Sequence, residues 1–160
     1  MYQFYLDIVT TAYQENRGLT GPVPLCGPFP TRVPATTAYT KPLVILINEL
    51  SSGPAEFFAA MLQDAGRSVL FGAPTAGSGS IGTTYNAGSY GEDGATVSVA
   101  LAVRSRTVTA PGFPATNLIE DVGVQPDVFH DVFTLDNLRQ FGAPYVSAFT
   151  AALLGRIDGK

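Results

Sequence analysis

The stretch "KPLVILINELSSGPAEFFAAMLQDAGRSVLF", residues 41–71, constrains the fold more than any other part of the chain. Leu43 to Asn48 is an apolar run without polar alternation, the pattern of a strand covered on both faces of a parallel sheet. Two serines, a glycine and a proline come next. Pro54 suits the first helical position and Glu56 the third, which puts Gly53 at the N-cap of a helix over 54–65. Phe57, Phe58, Met61, Leu62 and Ala65 make its expected apolar face, and Gly66 ends it. Arg67 to Phe71 is the next short apolar strand. Strand, helix and strand at this spacing form a βαβ unit with a right-handed crossover, so the fold class is α/β.

Elsewhere the pattern is looser. Tyr2 to Asn16 carries Phe4, Ile8, Ala12 and Val9, Tyr13 at helical spacing, with Arg17-Gly18 as a stop. Residues 18–41 hold five prolines and three glycines, a long connection for a compact domain. The domain reading is therefore an N-terminal helix and proline-rich connection over 1–41, and a core over 42–160. Beyond the βαβ unit, "TTYNAGSYGEDGATVSVALAVRS" predicts a β-hairpin around Asp93-Gly94, with Ala95 to Arg104 as its long second arm. "NLIEDVGVQPDVF" reads as extended with a turn at Gln125-Pro126-Asp127. Two C-terminal helices, 135–141 and 144–154, are split by Gly142.

Composition narrows the chemistry. Hydrophobic residues make up 46% and charged residues 14%, which supports a buried core and argues against a disordered chain. A net charge of −4, with lysines and arginines scattered singly, argues against a nucleic-acid partner. No apolar run approaches the roughly 20 residues of a membrane span. The N-terminus lacks a basic region before its apolar residues and reads as an amphipathic helix instead of a signal peptide. One cysteine, Cys26, and one histidine, His130, leave no basis for an intrachain disulfide or a metal site rich in either residue. Gly77, Gly79 and Gly82 match G-x-G-x-x-G, but the residues after Gly82 read as extended, where a dinucleotide fingerprint must open a helix. "GAPTAGS" lacks the lysine of a phosphate loop. No cofactor is expected.

An ordered set of motifs remains: Asn48-Glu49, Ser51, Glu56, Leu62-Gln63-Asp64, Arg67, Gly72 and Thr75-x-Gly77-x-Gly79, then Glu120, Gly123-Val124 and Pro126-Asp127. Together they resemble the core of the S41 peptidases, the C-terminal processing or tail-specific proteases with their tricorn-core and chlamydial-protease-like relatives, over about 41–129. The resemblance implies a crotonase/ClpP-like α/β core and hydrolysis of peptide bonds by a serine at a helix N-terminus. It also implies a peptide or protein substrate and favours a periplasmic or extracellular setting. A helix N-terminus suits that chemistry, because its unpaired N–H groups and partial positive charge can stabilise an oxyanion.

The chain departs from the family pattern at the reactive positions. The nucleophile slot holds Gly53, and the lysine slot of the tail-specific branch holds Ser78. Lys41 and Lys160 lie outside any matching slot. Ser52 becomes a candidate nucleophile by a one-residue slip, whereas Ser51 reads as structural. Glu56 reads as a capping and dipole partner. Glu120 matches the acid of members that use serine, histidine and glutamate. Their histidine lies upstream of the serine, so His130 does not match. The expectation is the C-terminal half of a catalytic domain, completed by an upstream segment or a second chain and inactive alone. The rival expectations are a non-catalytic ligand- or peptide-binding domain on the same fold, and a crotonase-like acyl-CoA enzyme.

Overall fold

A computed structural model describes residues 2–24, 39–86, 88, 91 and 93–159; Cys26 and most of the proline-rich connection lie outside them. The chain divides into two compact units, Met1–Thr40 and Lys41–Lys160. The first contains α1 (Tyr2–Gln14), which ends as Asn16 turns left-handed and the Arg17 N–H bonds the Ala12 carbonyl.

The second unit is of mixed α/β class. Its central sheet has the order β1 (Val44–Ile47), β2 (Val69–Gly72) and β7 (Val128–Phe129), all parallel. Helix α2 (Pro54–Asp64) connects β1 to β2, so the strand–helix–strand unit forms over the expected residues. Its C-terminus is closed through Gly66, whose N–H bonds Gln63, with Arg67 N–H returning to Leu62. The core gathers Ile47, Ala59, Ala60, Leu70, Ile119 and Val124, with Ile45, Phe57 and Ala102 packed against it. Burial of each larger aliphatic side chain there is worth about 1.5–3 kcal/mol.

Two expectations about α2 and the hairpin need correction. The inward face of α2 is Glu56, Ala59, Ala60 and Gln63, while Phe58 and Met61 are exposed. The alanines allow close approach to the sheet, and the two polar residues are drawn inward by hydrogen bonds to later loops. The hairpin joins β3 (Ser80–Asn86) to β4 (Gly94–Leu101), with Asn86 opposite Gly94. Asp93 is therefore the last residue of a seven-residue connection, 87–93, and Gly94 opens β4, so the pair is not a two-residue turn. Its second arm also breaks at Ala102 before β5 (Val103–Val108), which pairs with β6 (Thr116–Leu118). Ala102 changes partners there: its N–H bonds Gly79, and its carbonyl accepts from Ile119.

The C-terminal helices are α3 (Leu135–Arg139) and α4 (Ala143–Ile157). Thr134 caps α3 by accepting from the Asn137 N–H, and Gly142 separates the two. No helix among the described residues is long and apolar enough to cross a membrane.

Candidate active site

The site forms where β1 stops and α2 begins. Ser51 is tied into the strand end: its Oγ accepts from the Asn48 N–H at 3.2 Å and donates to Asn48 Oδ1 at 3.3 Å. Its carbonyl accepts from the Ala76 N–H at 3.0 Å, which fixes the following loop against the strand end. Ser52 is exposed, and its hydroxyl donates to the Ser78 hydroxyl at 3.1 Å. Gly53 then turns the chain with φ 59° and ψ −119°, a left-handed value that favours glycine. A Cβ built there would project into open space.

Glu56 organises this turn. It is fully buried, and its carboxylate accepts four hydrogen bonds. Oε2 takes the Gly53 N–H at 2.9 Å and the Ser78 N–H at 2.8 Å; Oε1 takes the Gly77 N–H at 2.7 Å and the Thr75 hydroxyl at 2.5 Å. Thr75 Oγ in turn accepts from the Val124 N–H at 2.7 Å. One carboxylate thus joins the helix start, the 75–78 loop and the 119–124 segment. The expected capping role of Glu56 is present, through the Gly53 N–H. Sequence patterning does not reveal its other three donors, because they lie 19–22 residues away.

Glu120 enters from the segment after β6. Gly79 lies directly against the Glu120 amide and Ile119, so closely that no Cβ fits. The Asp121 N–H bonds the Gly77 carbonyl at 2.9 Å, which holds this segment along the loop. Glu120 Oε2 is buried and has no hydrogen-bond partner among the described residues. The fold therefore groups Ser52, Gly53 and Ser78 in one hydrogen-bonded cluster and lays the Glu120 backbone one residue further along. No hydrogen bond links its carboxylate to that cluster. The His130 ring lies elsewhere, against Phe71 at 5.4 Å and Tyr145 at 5.6 Å.

A second polar network braces the far end of α2. Arg104 is buried; its Nη2 donates to Gln63 Oε1 at 2.7 Å, and it pairs with Asp64. Arg106 and the Ser105 N–H and hydroxyl add to Asp64. Burial pushes the Asp64 carboxyl up, but hydrogen bonding and charge from Arg104, with the Ser105 bonds, outweigh it and leave the group below its ordinary value. Asp127 accepts from the Gln63 side chain and from the Leu70 N–H, clamping helix to sheet. Gln63, Asp64 and Asp127 are thus scaffold residues of the motif set. No three histidine, cysteine, aspartate or glutamate side chains among the described residues converge to hold a metal.

The family model for peptidase family S41 matches residues 7–129, upstream of the motifs as well as across them. The chain belongs to peptidase family S41. This S41 chain is 34% identical over 127 residues to an uncharacterised protein of Chlamydia muridarum, covering 78% of itself and 19% of that protein. It is 34% identical over 97 residues to the chloroplastic carboxyl-terminal-processing peptidase 3 of Arabidopsis thaliana, covering 61% of itself and 17% of the peptidase. The crystal structure of mature CPAF superposes with a TM-score of 0.73 at 26% identity, over 96% of this chain and 28% of CPAF. The S41 chain thus spans about a fifth of the length of these curated relatives.

Proposed function

We propose that this chain supplies the nucleophile-elbow portion of an S41-type serine peptidase core, of crotonase-like architecture, and that it hydrolyses no peptide alone. The observation that carries this reading is Gly53. It sits at the N-cap of α2, behind a parallel strand, with a left-handed backbone and open space where a side chain would project. A nucleophile is presented by such a strand-to-helix turn. In an active arrangement Ser52, or a serine at 53, attacks the peptide carbonyl. Its base comes from an upstream segment or second chain, and Glu120 orients that base; the buried, unpartnered Oε2 of Glu120 supports this role.

A second reading is a non-catalytic peptide- or ligand-binding domain on the same fold. Glycine at 53 and serine at 78 favour it, because both reactive slots are empty.

A fluorophosphonate probe with mass-spectrometric mapping separates them. Prolonged exposure of a folded Gly53→Ser chain is expected to place an adduct on residue 53, with none on Ser52 of the unaltered chain. No adduct at 53, in this chain or in one that also carries Pro54→Ala, sinks the elbow reading and leaves the binder. Casein turnover by the unaltered chain that disappears in Ser52→Ala would overturn the proposed inactivity.

A further inference from the structure

Peptide acyl transfer needs more than a nucleophile. When a serine Oγ bonds to the carbonyl carbon, the π pair moves onto oxygen, and N–H groups must receive that charge. At a strand-to-helix elbow one donor is the backbone N–H of the residue after the nucleophile.

Both assignments of the nucleophile lack that donor here. If Ser52 attacks, the next N–H belongs to Gly53, and it is committed to Glu56 Oε2 at 2.9 Å. If a serine at 53 attacks, the next residue is Pro54, which has no N–H. The neighbouring donors are also spent. The Glu56 and Phe57 N–H groups bond the Gly53 carbonyl, and those of Gly77 and Ser78 bond Glu56. Only the Ala55 N–H of the first turn has no partner among the described residues, and it lies a residue further along.

We propose that Pro54 blocks acyl transfer at this elbow independently of Gly53, by removing the N–H that would receive the oxyanion. The site carries a third lesion beside positions 53 and 78, and restoring the nucleophile alone does not restore chemistry. The proposal rests on the elbow reading of residue 53.

The test compares the Gly53→Ser chain with Gly53→Ser carrying Pro54→Ala or Pro54→Gly. Each is treated with a fluorophosphonate: the Oγ–P bond forms, the P–F bond breaks, fluoride leaves and the hydroxyl proton passes to water. Both double variants are expected to label residue 53 tenfold or more faster than Gly53→Ser, towards the roughly 100-fold that one oxyanion donor carries. Alanine and glycine differ in helix propensity but share the N–H, so equal acceleration by both excludes a merely structural effect. Gly53→Cys with and without Pro54→Ala supplies a control. Alkylation by iodoacetamide creates no oxyanion, and its rate is expected to change less than twofold.

Measurable labelling at the same rate in single and double variants overturns the role of Pro54 and leaves the elbow intact. Equal acceleration of alkylation also overturns it. No labelling in any serine variant overturns the elbow reading, and the proposal with it. Circular dichroism checks folding. A serine variant that is unfolded in buffer is compared with its partner in an excluded osmolyte, which favours the compact state.

Discussion

The hydroxyls of Ser52 and Ser78 meet at 3.1 Å although 26 residues separate them. The Glu56 carboxylate beneath them makes that meeting possible, because it fixes the backbone of both Gly53 and Ser78 on one oxygen. The two hydroxyls are exposed, so their mutual bond competes with water and contributes little.

Ser52→Ala and Ser78→Ala are each expected to change stability by less than about 1 kcal/mol, because only this exposed bond is lost. Urea denaturation of both variants checks this. A loss above about 2 kcal/mol in either would mean that the pair is structural.

Glu56→Gln behaves oppositely. The amide turns an NH2 towards donors that need an acceptor, and at least one buried N–H loses its partner. The expected cost is about 3 kcal/mol or more, seen as a lowered urea midpoint. Glu56→Ala leaves the same donors around a vacated space, and added formate is expected to recover part of its melting temperature, whereas chloride at equal ionic strength is not.

Asp64 gives a pH signature. Its folded carboxyl titrates below the ordinary 3.8, so its contribution to stability is present above that value and is lost as pH falls through the lower folded value. The stability gap between the unaltered chain and Asp64→Asn should be constant near neutrality and shrink below about pH 4. A gap that stays level to about pH 2 would remove Asp64 from the acid limb.

Gly79→Ala probes the contact between the loop and the acid segment. Its Cβ would run into the Glu120 amide and the Ile119 side chain, so backbone must move. A loss of about 3 kcal/mol is expected. Gly112→Ser, where nothing lies within 4 Å, is a comparison for the left-handed backbone alone and is expected to cost about 1–2 kcal/mol.

The β1–α2–β2 unit was legible in the sequence because its signals are local: an apolar run, a proline at N1, Gly66 after the last turn. The same locality explains what was missed. Helical period shows which side chains can share a face, but not which face the sheet will cover. Periodicity therefore predicts Phe58 and Met61 on the inward face, whereas Glu56 and Gln63 are the buried residues. Their partners, Thr75 to Ser78 and Gln125 to Asp127, lie later in the chain, and hydrogen bonds over such separations leave no periodic trace.

Sequence by itself determined the family, the α/β class and the presence of glycine at 53 and serine at 78, since these depend on residue identity and order. Only the tertiary structure decided that Ser52 touches Ser78, that Glu56 consumes the donors around the turn, and that Glu120 runs beside Gly79 with a carboxylate oxygen unpaired. Each of these is a contact between segments distant along the chain. Such contacts are set by close packing and by the need to satisfy every buried polar group together, which no single segment encodes.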